Sequence, residues 1–145
     1  MKRHHGGTNR QALTFKAVAW NIEGGFYDTA CFLAQQAGEK ALKSLLYASG
    51  ARRKALLTHS VFEMVQEAAR KVESLGTLAE QARELDLHYI PARYPNSLPS
   101  GYPHAVYSRE LAERARRAAE ALIGAITSHY ETLGLLTEFE DKGDS

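Results

Sequence analysis

Apolar residues return along this chain in steps of three and four, the period of a helix that buries one face. Ala12, Phe15, Ala19, Ile22 and Phe26 form the first series. Thr8 and Gln11 precede it at the spacing of a capping box, and Gly24-Gly25 breaks it. Ala30, Ala34, Ala37, Ala41, Leu45 and Ala48 form the second series, which ends at Gly50. Its stripe is mostly alanine, so a neighbouring helix can come close. After a basic turn, Arg52-Arg53-Lys54, Ser60 with Glu63 repeats the capping spacing ahead of Val61, Val65, Ala68 and Val72. Thr77 with Glu80 repeats it again ahead of Leu78, Ala82 and Leu85, with an end near His88. The last series, Leu111, Ala115, Ala118, Leu122 and Ile126, starts at Ser108, with Gly134 as its expected stop. No stretch sustains the period of two that a strand requires, and short connections between the first four helices favour antiparallel neighbours. The expectation is an all-α, antiparallel up-and-down bundle of about five helices. A flexible segment over residues 1–10 precedes the bundle at 11–134, and a mobile acidic tail follows at 135–145.

One segment breaks the pattern. Tyr89 to Tyr107 holds all four prolines (Pro91, Pro95, Pro99, Pro103) and four of the seven tyrosines (Tyr89, Tyr94, Tyr102, Tyr107). Loops longer than about 12–15 residues are uncommon in compact domains and are usually functional or disordered. Disordered segments are poor in aromatics, and proline lowers the entropy lost on ordering, so an ordered loop across the bundle is expected.

Composition narrows the possible partners. At 145 residues, 44% hydrophobic and 24% charged, the chain fits one globular domain, with no internal repeat. Net charge is +1 and the pI is about 7.9, too low for a protein that holds duplex nucleic acid mainly by neutralising phosphates. A single nucleotide or a short single strand of RNA remains compatible. No apolar run reaches the roughly 18–20 residues that span a bilayer, so no membrane partner is expected. Met1 to Gly7 is basic without the apolar stretch of a secretory signal. Cys31 is the only cysteine, which excludes an internal disulfide or a zinc knuckle, and most simply packs in the core. His4-His5 has no supporting carboxylate or thiol cluster, so neither a metal nor a cofactor is expected. A cytoplasmic location follows as the expectation.

Three stretches resemble one family. The run from Phe26 to Lys43, centred on Gln35-Gln36-Ala37-Gly38-Glu39-Lys40, resembles the second-helix signature of HEPN domain proteins. Leu87-His88-Tyr89-Ile90-Pro91-Ala92-Arg93-Tyr94-Pro95-Asn96 resembles the family's loop motif, with Asn96 where aspartate is usual. Thr58-His59 resembles the pair that opens its third helix, and Thr14 lies near a usually acidic position of the first. The likeness spans roughly Gln11 to Tyr130. It implies an antiparallel helical bundle that forms a homodimer. Many members accompany a minimal nucleotidyltransferase protein in two-component or toxin–antitoxin pairs, and others handle nucleotides. A large subset are metal-independent ribonucleases with Arg, a short spacer and His near the start of the last long helix. Here that region offers Arg93 and His104, with ten residues between them, wider than the family's spacing. Arg53 and His59 fit the spacing but precede the third helix, which makes an accidental match the simpler account.

The candidate residues each carry two readings. Gln36, Lys40 and Lys43 fall at i, i+4 and i+7, one helix face, facing either a phosphate or partner, or solvent and a dimer seam. Glu39 either orients Arg93 or forms a structural ion pair. Arg93, Tyr94 and Tyr89 suit a phosphate held beside a stacked base; alternatively they latch the loop. His104 is the candidate proton carrier with Arg93 as its cationic partner, or a solvated loop histidine. His59 is read as a hydrogen bonder at a helix start. The alanine stripe buries little area per residue, so an additional apolar surface is expected to close against a second copy, with Trp20 a candidate contact.

Overall fold

The computed structural model describes residues 14–89 and 107–144. Every regular element among them is helical. Helix α1 covers residues 14–23, α2 Tyr27–Ala48, α3 Arg53–Leu57, α4 Val61–Ala69, α5 Ala79–Asp86 and α6 Arg109–Asp144, with a 3-10 helix at Glu73–Leu78 leading into α5. α2 and α6 are the longest, at 22 and 36 residues.

Consecutive helices reverse direction, so α2 and α6 run side by side the same way. Arg109 meets Glu23 at 3.0 Å near the start of α2, and His129 lies beside Leu45 and Ser49 at its end. Two glycines make reversals possible. Gly25 and Gly50 adopt φ +82° and +71°. After α1, Gly25 N–H donates to Ile22 O at 3.1 Å and Phe26 N–H to Asn21 O at 2.8 Å; after α2, Gly50 donates to Tyr47 O and Ala51 to Leu46 O. Both are Schellman ends, which need a left-handed residue at that position.

α1 buries Val18 and Ile22, with Phe15 partly covered. Phe26, expected on the same stripe, is 58% exposed because the Gly25 turn takes it off the helix. α2 is buried over a wider arc than its alanine stripe. Cys31, Gln35, Gly38, Glu39, Leu42 and Leu46 join Ala30, Ala34, Ala37, Ala41 and Leu45, while Ala48 is exposed. α6, α4 and α5 all pack on it.

Caps decide the shorter elements. Ser60 Oγ accepts from Glu63 N at 3.1 Å, as its spacing predicts, but Glu63 turns to Thr58 Oγ1 at 2.6 Å. Asp86, at the end of α5, completes the cap by accepting from Val61 N, Phe62 N and Ser60 Oγ at 2.6, 3.1 and 3.0 Å. Ser108 caps α6 through Leu111 N at 3.1 Å. Thr77 does not cap: it lies in the 3-10 turn, its hydroxyl donates to Ser74 O, and α5 starts at Ala79. α5 thus continues directly from the 3-10 turn without a side-chain cap. The basic turn also folds further than expected, as the five-residue α3, which buries Ala55. α6 continues through Gly134, since a mid-helix glycine costs only about 1 kcal/mol and good helix formers flank it. The capping spacing at Thr8 and the Pro/Tyr-rich loop beyond Tyr89 lie outside the described residues.

Gly38 and Gly124 give a paired test of packing. A Cβ on Gly38 would lie 2.7 Å from Leu85 Cδ1, and Leu85 is fully buried; a Cβ on Gly124 meets nothing within 4 Å. Thermal unfolding should show Gly124→Ala raising stability by up to about 1 kcal/mol. Gly38→Ala should lower it, overpacking of about 1–3 kcal/mol exceeding the propensity gain.

Candidate functional site

α2 carries polar residues into the bundle at a helical repeat. Gln35, Glu39 and Lys43 stand four apart and so lie one above the other on one face. Gln35 is fully buried and Glu39 is 8% exposed. Their hydrogen bonds form a directed chain. Gln36 Nε2 donates to Gln35 Oε1 at 2.7 Å, and Gln35 Nε2 donates to Glu39 Oε1 at 2.9 Å. The other Glu39 oxygen receives Lys43 Nζ at 3.2 Å and His59 Nδ1 at 3.0 Å.

His59 reaches Glu39 because the α3–α4 link is fixed at both ends. Leu57 ends α3, and the Ser60 cap, held by Asp86 and Thr58, starts α4. The His59 ring then stacks on Tyr89, with centroids 5.0 Å apart and planes 17° from parallel. Burial pushes the Glu39 carboxyl up, but the hydrogen bonds from His59, Gln35 and Lys43, with the Lys43 charge, outweigh this and hold it below the ordinary value. An ionised Glu39 makes His59 Nδ1 the donor. A neutral His59 ring then carries its lone pair on Nε2. The imidazole side chain is 51% exposed, so an oriented base faces outward from a buried carboxylate.

Of the sequence candidates, Gln36, Glu39, Lys43 and Tyr89 come together here. Lys40 is exposed on α2, while Gln36 and Lys43 turn toward Gln35 and Glu39, so the three do not present one common solvated face. Arg93, Tyr94 and His104 lie outside the described residues. Two members were not singled out by the reading of the sequence. Gln35 sits off the apolar stripe, and its signal was the paired glutamine of the second-helix motif. His59 was read only as a helix-start residue, and its signal was the Thr58-His59 pair. No group of three metal-ligating side chains occurs among the described residues, and no helix there is long and apolar enough to cross a membrane.

Two shallow clefts, of about 210 and 240 Å³, lie away from Glu39, at the C-terminal end of α2. Their cations are already engaged: Arg52 is bidentate on Glu67 at 2.6 and 3.3 Å, and Lys71 donates to Ser49 O. That end is basic because cations cap helix C-termini. The Glu39 cluster is the better candidate.

Acid should reveal the Glu39 network. Its carboxyl ionises more readily in the folded chain than unfolded, so its stabilisation is present above the unfolded value near 4.5 and is lost as pH falls through the lower folded value. Glu39→Gln should lower stability by about 1–3 kcal/mol at pH 7 and flatten the fall in melting temperature below pH 4.5. Melting curves across pH check both.

The sequence matches the HEPN domain family over residues 10–130. Among curated proteins, none matches the chain. Solved structures resemble it over most of its length. One from Thermus thermophilus is 32% identical with a TM-score of 0.71, covering 89% of this chain and 98% of its own. A HEPN domain protein from Thermotoga maritima is 31% identical with a TM-score of 0.65, covering 88% and 98%. An archaeal HEPN homologue is 26% identical with a TM-score of 0.68, covering 89% and 98%. This chain belongs to the HEPN domain family.

Proposed function

We propose that this chain is a nucleotide- or RNA-handling module, a homodimer that works with a minimal nucleotidyltransferase protein. One observation carries the reading. The Glu39 network joins the Gln35-Gln36 and Glu39-Lys43 positions of α2, the Thr58-His59 link and Tyr89, which opens the Pro/Tyr-rich loop. In this reading the stacked His59–Tyr89 pair offers an aromatic face to a base. Exposed Lys40 supplies positive charge, with Lys43 reinforcing it while it holds Glu39, Arg93 grips phosphate with its planar fork, and Tyr94 stacks beside it.

A second reading, a metal-independent endoribonuclease, is favoured by the same His59 geometry. A carboxylate-oriented, half-exposed imidazole suits proton transfer, and Arg93 and His104 are the further pair that the sequence offers for it. RNA cleavage that persists in chelator and disappears in both His59→Ala and His104→Ala would select it.

Calorimetry with mononucleotides and short single-stranded RNA tests the binding reading. Losing a charge-assisted hydrogen bond costs about 1.5–3 kcal/mol, so Arg93→Ala should weaken binding roughly ten- to more than a hundredfold, with Arg93→Lys rescuing poorly. Tyr89→Ala should cost about 1–3 kcal/mol of binding through the lost stack. An Arg93→Ala variant with unchanged affinity and a lowered melting temperature would make the residue a loop latch.

A further inference from the structure

α1 has an outer face as well as an inner one. Lys16, Trp20 and Glu23 recur at i, i+4 and i+7 on the side away from Val18 and Ile22, and all three are exposed. Trp20 is 74% exposed. Phe26, past the turn, is 58% exposed, its ring lying 3.0 Å from the point that a Cβ on Gly24 would occupy. Two large aromatic side chains therefore meet water at one end of the bundle, one on α1 and one just past its turn.

Single exposed apolar residues are ordinary. What distinguishes this face is the arrangement of charge around it. Lys16 lies one turn before Trp20 and Glu23 one turn after, about 10 Å apart along the axis and opposite in sign. A second α1 laid alongside in the opposite direction brings Lys16 of each copy against Glu23 of the other. In that register the Trp20 side chains of the two copies fall on the same side of the contact, next to each other across the two-fold axis. Laid in the same direction, like charges would meet. Glu23 already accepts from Arg109 through Oε1, but both side chains remain more than half exposed, so the carboxylate is open to a second cation.

We propose that the outer face of α1 is a two-fold surface whose occupant is a second copy of this chain, paired antiparallel through Lys16, Trp20 and Glu23 with Phe26 at the rim. A two-fold contact requires one patch to complement itself, which this face does in charge, around a central exposed aromatic. The inference supplies the surface for the homodimer reading above and rests on it, but not on any ligand.

The experiment uses the full chain, whose single tryptophan reports directly on the surface. Sedimentation and Trp20 emission are followed together over a dilution series. Dimerisation should shift the emission to shorter wavelength at the same concentrations at which the mass doubles. Trp20→Ala should weaken the dimer at least about tenfold, as loss of a central aromatic anchor does. Lys16→Glu should weaken it by about tenfold, because two attractive pairs become repulsive at once, and added salt should shrink that effect. Lys16→Glu combined with Glu23→Lys should return the affinity to within about threefold of the parent, a recovery that general damage to the fold cannot produce; melting temperatures confirm that each variant is folded. A monomer at every concentration would overturn both this surface and the homodimer reading. A dimer indifferent to Lys16→Glu, with Trp20 emission unchanged on association, would overturn the surface and leave the homodimer standing elsewhere. A monomer with emission already shifted, independent of concentration, would mean that the chain itself covers Trp20, which also overturns it.

Discussion

Three other helices can crowd around α2 because its packed positions are small. Ala30, Ala34, Ala37, Gly38 and Ala41 let neighbouring backbones come close, and Leu85 and Leu122 both reach the surface of Gly38. Alanine buries little apolar area, so stability has to come from the long side chains of the elements around it. Met64, Leu75, Leu85, Leu122 and Ile126 fill that role, joined by Leu42 and Leu46 of α2 itself, and all are fully buried. Close-packed interiors tolerate neither gaps nor excess volume, so the small positions of α2 and the large positions of its neighbours constrain each other.

The same crowding explains how a carboxylate comes to lie inside. Glu39 shares its helix with Ala37 and Gly38, and it is buried by what packs against them. A lone ionised carboxylate there would be costly; Glu39 stays ionised because three donors converge on its two oxygens. Each donor comes with its own constraint. Gln35 is itself fixed by Gln36, Lys43 lies one turn further along α2, and His59 arrives from the α3–α4 link. A requirement of electrostatic compensation thus ties loop geometry to helix geometry, and His59 is held with one nitrogen inward and its ring open to solvent on a Tyr89 stack. The position where the fold must satisfy a buried charge is also where it offers an oriented base and an aromatic face.

Elsewhere charge has a purely structural task. Asp86 places a carboxylate on the free N–H groups that start α4, joining the end of α5 to the beginning of α4. At the other end of the bundle Lys71 and Arg52 neutralise carbonyl and carboxylate oxygens near the end of α2. The basic residues there are already used by those partners.

Local physics wrote much of this protein into its sequence. Helical periodicity marked the long helices, Gly25 and Gly50 lay at their ends because those turns need a left-handed residue, and Ser60 and Ser108 capped the starts their spacing indicated. The family followed from motif residues on α2, at Thr58-His59 and after Leu87. α3 escaped because five residues are too few to show a period. Thr77 was misleading because its hydroxyl met Ser74 within a 3-10 turn, a choice between two local hydrogen bonds that spacing does not distinguish. The burial of Gln35 and Glu39 was beyond any pattern in α2, since a stripe describes one contact face and this helix has several. Whether a polar side chain is solvated or enclosed depends on residues distant in sequence, here His59 and the helices packed around Gly38, and only their convergence in three dimensions turned surface-looking glutamines and a glutamate into the polar centre of the molecule.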